Sequence, residues 1–211
     1  MPLIKIQHIA EGTALAIWEA TESIDFFLGK LSPRFLTGFD NQRFSENRKK
    51  EFLATRFLVK QLSGSATLRL ETRQNGKTAI AEGTHHLSLS HSNEMMAAIL
   101  SEKFKVGIDI EEIHPRVKKV MSKFLNEPEL CLLGSEPELW KIILCWSAKE
   151  SLYKMLEQPG LSFRNNILLD IPPRPDSGKL KALLSTGGEK KEAYVYFEVT
   201  GKYILSYCMD S

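Results

Sequence analysis

Apolar residues recur at helical spacing in the segment RFSENRKKEFLATRFLVKQL, and Ser45 stands where an N-cap is expected. This pattern predicts an amphipathic helix whose polar side carries the basic residues. Its apolar positions are Phe52, Leu53, Phe57, Leu58 and Leu62. A second helix is predicted over ELWKIILCWSAKESLYKMLEQ, which the Pro159-Gly160 pair ends.

Short runs of strand-type residues, separated by turn residues, fill much of the remaining sequence. LRLETR and TAIA flank an Asn-Gly-Lys turn at 75–77 and predict a hairpin. HHLSLSHS, MMAAIL and KVGIDIEEI predict three strands of a small antiparallel meander. AYVYFEVT and YILSYCM predict a closing hairpin around a turn at 201–202, and a loop is predicted over 172–178.

The predicted elements follow the order strand, long helix, strands, and then strands, helices, strands. This order predicts an α+β fold of two similar halves, residues 1–104 and 105–211, which join near Phe104. The residues themselves show no internal repeat, so the similarity is one of element order alone.

Composition excludes several classes of protein. A chain of 211 residues with 43% hydrophobic residues can bury a core without disulfides, and its three scattered cysteines form no C-x-x-C pair. No stretch approaches the roughly 18 apolar residues of a membrane span, and the first residues do not fit a signal peptide. We therefore predict a cytoplasmic protein that does not bind membranes.

The formal net charge of +2 hides a local imbalance. Residues 30–60 carry a surplus of Lys and Arg, whereas residues 109–138 carry a surplus of Asp and Glu. The small total gives no global basic field, so nucleic acid is not a predicted partner. A polyanionic ligand with a bound cation would use both local surpluses.

Two carboxylates lie on one face of a predicted strand. Alternation along KVGIDIEE places Asp109 and Glu111 on the same side, roughly 7 Å apart. Both can reach one hard cation at that distance, and oxygen-only ligands favour Mg²⁺ or Mn²⁺ over zinc. The strand taken alone favours the other interpretation, an ordinary half-exposed strand with a wet polar face, because such alternation is common.

A second group of polar residues lies on the predicted helix WSAKESLYKM. Trp146, Glu150 and Lys154 stand at i, i+4 and i+8, and Lys149 precedes Glu150. Glu150 and Lys154 therefore share a helix face. In isolation this pair is better explained as an ordinary Glu–Lys pair on a helix surface, and only its combination with the other motifs favours a function.

Other candidate ligands for an anion are scattered through the first half. Ser90 and His91 end a strand and offer a hydroxyl and an imidazole, and Lys77 lies on a turn. Arg48 and Arg56 point about 80° apart on the basic helix, so they either flank one ligand or are solvated.

In this order and at these spacings, the motifs NGK, SLSHS, VGIDIEE and WSAKESLYK resemble a known family. The chain is similar to the 4′-phosphopantetheinyl transferases of the large, monomeric, surfactin-synthetase-activating type. The resemblance runs from ALAIWEA to PGLSF, and it is most specific where GIDIE and W-x-x-K-E-S-x-x-K occur together. It implies two similar α+β halves with the active site in the cleft between them.

The resemblance also implies roles for individual residues. The implied catalytic residues are Glu150, Lys154 and Lys149. The implied ligands of Mg²⁺, with Mn²⁺ as a possible substitute, are Asp109, Glu111 and Glu150. The residues implied to bind coenzyme A are Arg48, Arg56, Lys77, Ser90, His91 and Lys154. Residues 1–104 would form the side that binds the adenine and 3′-phosphate, and residues 105–211 the magnesium and catalytic side.

The sequence departs from the family pattern at two places. Thr78 replaces the usual proline after Lys77, which weakens the assignment of that lysine to the adenine. Gln158-Pro159-Gly160 replaces the usual G-K-G after the second helix motif.

The implied reaction moves phosphopantetheine from coenzyme A to a serine of an apo acyl or peptidyl carrier protein and releases adenosine 3′,5′-bisphosphate. The resemblance implies a monomer, because one chain carries both halves. The alternatives are an inactive coenzyme A-binding regulatory homologue and an α+β interaction module whose carboxylates are incidental.

Overall fold

The chain divides into two units, Met1–Val106 and Gly107–Ser211. Both units combine sheets with helices, which agrees with the predicted α+β class. The computed structural model describes residues 3–65, 68–73, 76–81, 83, 85–171 and 177–210.

The first unit contains six strands and two α-helices in its described residues. The strands are β1 (Leu3–Ala10), β2 (Thr13–Glu19), β3 (Leu70–Thr72), β4 (Thr78–Ile80), β5 (His86–Ser92) and β6 (Met95–Ser101). The helices are α1 (Ile24–Lys30) and α2 (Glu46–Ser63). An antiparallel sheet has the order β1-β2-β6-β5, and β3 pairs separately with β4. The β3–β4 hairpin is the one predicted, although Asn75 of its turn lies outside the described residues.

Helix α2 begins and ends where its sequence predicts. The Oγ of Ser45 accepts a hydrogen bond from Arg48 N at 3.3 Å, which caps the first turn. Gly64 ends the helix at φ 61°, a left-handed conformation that glycine adopts without steric cost. The buried face of the helix, with Phe52 and Phe57 among its side chains, packs on the sheet and forms the core of this unit.

The second unit contains one larger sheet and four α-helices in its described residues. The strands are β7 (Val106–Glu112), β8 (Ile167–Leu169), β9 (Ser177–Thr186), β10 (Glu189–Thr200) and β11 (Tyr203–Met209). The helices are α3 (Met121–Phe124), α4 (Glu127–Leu133), α5 (Leu139–Leu156) and α6 (Phe163–Asn166). The sheet order is β7-β11-β10-β9-β8, and helix α5 packs on β10 and β11.

The predicted meander is wrong in its third strand. β5 and β6 pair as expected, but β7 lies beside β11 in the sheet of the second unit. Periodicity along a strand indicates which side chains share a face, and it carries no information about the neighbouring strand. Part of the predicted loop is also wrong, because Ser177 and Gly178 begin β9; residues 172–176 lie outside the described residues.

Across the residues that the structure describes, no helix is both long enough and apolar enough to cross a membrane.

Candidate active site

Strand β7 and helix α5 approach each other closely at Gly107. A Cβ atom at this position would lie 1.8 Å from the carbonyl oxygen of Ser151 and 2.9 Å from the backbone nitrogen of Met155. Any side chain here would overlap the helix backbone, so the close approach requires glycine. The polar residues that follow on β7 are thereby placed beside those of α5.

Lys154 on α5 forms an ion pair with Asp109 on β7, and 2.8 Å separates Nζ from Oδ1. The same ammonium donates to the carbonyl oxygen of Ile108 at 3.1 Å. Asp109 is 3% exposed, so this side of β7 is not the wet polar face that the sequence pattern also allowed. The structure thus brings together a predicted metal ligand and a predicted catalytic lysine.

Glu111 and Glu150 both interact electrostatically with the carboxylate of Asp109. Glu111 Oε1 accepts a hydrogen bond from Trp146 Nε1 at 2.8 Å. Burial, and after it repulsion from Asp109, raises the pKa of Glu111 to about 7, although the Trp146 hydrogen bond acts in the opposite direction. Burial and then Asp109 also raise the pKa of Glu150. Three carboxylates therefore influence one another where β7 meets α5.

These carboxylates offer only oxygen atoms, which is the donor set that hard cations prefer. As the side chains stand, no group of three or more His, Cys, Asp or Glu within the described ranges is arranged to hold a metal ion. The metal role of Asp109, Glu111 and Glu150 therefore stays a prediction.

Lys149 lies apart from the carboxylates although it precedes Glu150 in the sequence. Its side chain is 0% exposed, and its Nζ lies 2.6 Å from Oε2 of Glu129. The remaining contacts of this nitrogen are backbone carbonyl oxygens. The structure does not bring Lys149 together with Lys154, and the catalytic role implied for Lys149 stays a prediction.

In the first unit, Glu51 lies between two residues that were predicted to bind coenzyme A. Its Oε2 is 3.2 Å from Nε2 of His91 and 3.5 Å from Nη1 of Arg48. Arg48 and His91 are exposed, and Glu51 is partly buried. One carboxylate thus brings Arg48 and His91 together.

Arg56 lies on the buried side of α2 and is 3% exposed, so it is not a solvated surface charge. Its guanidinium carbon stands 3.1 Å from the ring centre of Phe52, and its Nη1 donates to the carbonyl oxygen of Phe52 at 3.3 Å. Its Nε has no hydrogen-bond partner among the described residues. Burial, followed by repulsion from Arg48, lowers the pKa of Arg56 to about 9. An anion near Arg48 and Arg56 would relieve this repulsion.

The last two residues predicted to bind coenzyme A are Ser90 and Lys77. Ser90 is buried on β5, 7% exposed, beside the exposed His91. Lys77 is half-buried in the turn before β4, where its carbonyl oxygen accepts a hydrogen bond from Arg73 N at 2.8 Å. The roles of Ser90 and Lys77 stay predictions.

Sequence analysis missed two carboxylates and gave Trp146 no partner. Glu51 was visible as the i+3 neighbour of Arg48 on a helix. Glu129 was visible as the last residue of an Asn-x-x-Glu capping box that begins at Asn126, and the structure contains both hydrogen bonds of that box. Each carboxylate binds a basic residue that the sequence alone presented as available to a ligand.

Comparison with known proteins gives two matches. Residues 105–208 match the model of the 4′-phosphopantetheinyl transferase superfamily. The chain is also 34% identical over 98 residues to the 4′-phosphopantetheinyl transferase psf-1 of Bacillus pumilus. That alignment covers 44% of this chain and 41% of the relative, so the chain spans less than half the length of the relative that it matches.

The family match covers one of the two clusters described above. Asp109, Glu111, Glu150 and Lys154 lie within residues 105–208, whereas Arg48, Glu51, Arg56 and His91 lie before them.

Proposed function

Because residues 105–208 match the model of the 4′-phosphopantetheinyl transferase superfamily, we propose that this protein transfers phosphopantetheine from coenzyme A to a carrier protein. The acceptor is a serine of an apo acyl or peptidyl carrier protein, and the proposed subtype is the surfactin-synthetase-activating one. The observation that carries the proposal is the Asp109–Lys154 ion pair, with Glu111 and Glu150 electrostatically coupled to it, inside the matched residues.

In the proposed reaction, the serine oxygen forms a bond to the phosphorus that carries pantetheine. The bond between that phosphorus and the bridging oxygen of the pyrophosphate breaks, and adenosine 3′,5′-bisphosphate leaves. Such a displacement depends mainly on positioning and charge neutralisation. Glu150 is the proposed acceptor of the serine proton, because it is the carboxylate that helix α5 presents, whereas Asp109 and Glu111 both lie on β7.

Lys154 is the proposed partner of the negative charge that develops on the leaving phosphate. It already lies 2.8 Å from a carboxylate oxygen, and it is partly rather than fully buried. The Lys154 ammonium can therefore leave the Asp109 carboxylate and pair with a phosphate oxygen while its charge stays near the protein surface.

Mg²⁺, or Mn²⁺ in its place, is the proposed cofactor, and Asp109, Glu111 and Glu150 would hold it. The chemistry of these residues suits such a cation because all three donors are carboxylates. Burial, and after it repulsion from Asp109, raises the pKa of Glu111 and Glu150, and a bound cation would offset this repulsion. When bound, a divalent cation neutralises charge on the pyrophosphate.

The first unit is proposed to bind the nucleotide end of coenzyme A. Arg48, Arg56 and His91 would contact phosphate oxygens, most directly the 3′-phosphate, together with Ser90, and Lys77 would lie near the adenine. Support comes from the exposed Arg48 and His91 that share Glu51, and from the repulsion between Arg48 and Arg56 that an anion would offset. We further propose that the two units form a pseudo-dimer and that the chain acts as a monomer.

Mass spectrometry of the acceptor tests the proposed function. The protein is incubated with coenzyme A, Mg²⁺ and apo carrier proteins of fatty-acid, polyketide and nonribosomal-peptide type. We expect a mass gain of one phosphopantetheine on at least one carrier, and we expect EDTA or Glu150→Gln to abolish it. Glu136→Gln makes the same chemical change at an exposed carboxylate and should leave transfer intact.

Two negative results have different meanings. Coenzyme A binding without a mass gain on any carrier would favour the inactive regulatory homologue. Absence of both binding and transfer would favour an interaction module with incidental carboxylates.

A further inference from the structure

Four acceptors converge on the buried ammonium of Lys149. An ammonium has three N–H donors, so this arrangement engages all of them. The acceptor distances are 2.6 Å to Glu129 Oε2, 2.8 Å to Phe124 O, 3.0 Å to Ile167 O and 3.1 Å to Phe163 O. The side chain of Lys149 thereby joins α5 to the end of α3, the start of α4 and the α6–β8 segment.

Glu129 completes this set of contacts from the other side. Its carboxylate is 0% exposed and accepts hydrogen bonds from Asn126 N at 3.0 Å and Leu169 N at 2.9 Å. The Nδ2 of Asn126 donates in turn to Ile167 O at 3.3 Å. The buried Lys149–Glu129 pair is therefore bonded mainly to backbone atoms, whose positions it holds.

Two of the carbonyl groups that accept from Lys149 belong to aromatic residues whose rings contact the ring of Trp146. The ring of Phe124 lies 5.1 Å from the ring of Trp146, and the ring of Phe163 lies 5.6 Å from it. Trp146 Nε1 donates to Glu111 Oε1 at 2.8 Å. A continuous series of contacts therefore leads from the ammonium of Lys149 to the carboxylate of Glu111.

We propose that Lys149 is a positioning residue that fixes Phe124 and Phe163 around Trp146 and thereby orients Glu111 through the indole N–H. This inference rests on the proposed function, because Glu111 is one of the proposed metal ligands. Lys149 touches neither substrate nor metal in this scheme. Partners that orient a metal ligand affect metal affinity strongly without binding the metal.

The alternative is that Lys149 is a catalytic residue, as the family resemblance implies, and contacts the pyrophosphate directly. Its ammonium would then have to leave Glu129 and three carbonyl oxygens, all of which would remain buried without it. Breaking one partner away from a buried ion pair is costly. The two roles also predict different consequences of removing the charge.

The main test variant is Lys149→Met combined with Glu129→Gln, which removes both charges and leaves no buried ion unpaired. The glutamine keeps one carbonyl oxygen for the backbone N–H groups and supplies an amide N–H₂ to the carbonyl groups. Arg164→Gln is the matched control. Arg164 joins α6 to α3 through Ser122 O and to α4 through Glu127, but at the protein surface.

The first measurement is ¹⁹F NMR of the full chain labelled with 5-fluorotryptophan, which gives one resonance for each of the three tryptophans. Trp146→Phe assigns the resonance of interest. We expect the double variant and Glu111→Ala to shift the Trp146 resonance, whereas Arg164→Gln should leave it unchanged. The Trp18 resonance in the first unit should stay constant in all variants, and circular dichroism of each variant shows whether it is folded.

The second measurement separates metal from coenzyme A. We expect the double variant to raise the apparent Mg²⁺ constant for transfer by about 10-fold or more. Its dissociation constant for coenzyme A, measured in EDTA by calorimetry, should stay close to that of the unchanged protein.

Three results would overturn the proposal. One is an unchanged Trp146 resonance in a folded double variant. Another is a large loss of coenzyme A affinity in EDTA with an unchanged Mg²⁺ constant, which would indicate direct contact. If the double variant does not fold, Lys149→Arg is tested in its place. Arginine keeps the positive charge but presents a planar guanidinium to the four acceptors. The third refuting result is a folded Lys149→Arg variant with wild-type values in both measurements.

Failure of the proposed function is distinguishable from failure of this inference. If the wild-type protein transfers phosphopantetheine to none of the carriers, the proposed function is wrong. The Trp146 resonance still decides whether Lys149 positions the indole beside Glu111, because that measurement needs neither coenzyme A nor a carrier.

Discussion

Replacing Gly107 with alanine should separate β7 from α5 and weaken the candidate active site. The added Cβ would lie 1.8 Å from Ser151 O, whereas Cβ atoms essentially never come within 3.0 Å of such an atom. Strand and helix would have to move apart by at least about 1.2 Å at this point. The atoms in the way belong to the helix backbone, so no side-chain rotation can relieve the overlap.

The expected loss of stability is about 3 kcal/mol, the upper end of the range for over-packing in a well-packed interior. Displacement of β7 should also lengthen the ion pair between Asp109 and Lys154, because Asp109 lies two residues beyond the point of overlap. Gly107→Ala should therefore reduce both the stability of the second unit and the rate of phosphopantetheine transfer.

Urea unfolding followed by circular dichroism measures the first effect, and transfer kinetics at saturating substrates measure the second. Gly29→Ala is the matched control, since Gly29 lies within α1 and its Cβ would meet nothing within 4 Å. Alanine at that helical position should be neutral or stabilising by about 0.5–1 kcal/mol. A folded Gly107→Ala variant within about 0.5 kcal/mol of the unchanged protein would refute the close packing of β7 on α5.

Three further predictions concern single side chains. Arg48→Ala should raise the KM for coenzyme A about 10-fold, the equivalent of one charge-assisted contact of about 1.4 kcal/mol, and should not change the KM for 3′-dephospho-coenzyme A; equal effects on both substrates would contradict a 3′-phosphate contact. A thiol reagent should label only Cys131 in the folded protein, because Cys131 is exposed whereas burial raises the pKa of Cys145 and Cys208 to about 12; labelling of more than one thiol per chain would contradict this. Stability in EDTA should fall as pH rises from about 5 to about 7, because the unfolded state then loses the Glu111 proton that the folded state keeps. Glu111→Gln should reduce this fall in the thermal midpoint, and an identical pH profile would contradict the raised pKa.

Local patterns in the sequence were sufficient to predict many elements and the pairing of strands joined by tight turns, but not the pairing of distant strands. Ser45, the apolar stripe of α2 and the turn at 201–202 act through nearby residues, and the elements that they predict are present. The sheet to which β7 belongs depends on packing between distant segments, which alternation does not encode. For the same reason β7 was misplaced although its limits were predicted closely.

The candidate site was predictable in part for a similar reason. The family resemblance implied that Asp109 and Lys154 belong to one active site, and the structure joins the two side chains directly. The buried positions of Arg56 and Lys149 were not predictable, because a basic side chain in a sequence looks solvated unless its partner is known. Their partners are a ring in the same helix and a carboxylate twenty residues away.

Helical geometry explains why the two lysines of one motif have different environments. At about 100° per residue, Lys149 and Lys154 point about 140° apart around α5, and Trp146 lies between them. Lys154 therefore faces β7 and its carboxylates, whereas Lys149 faces α4 and α6. Trp146 touches both sides, since its ring contacts Phe124 and Phe163 while its N–H reaches Glu111. A substitution at Lys154 should accordingly act on the reaction directly, and a substitution at Lys149 should act through the indole.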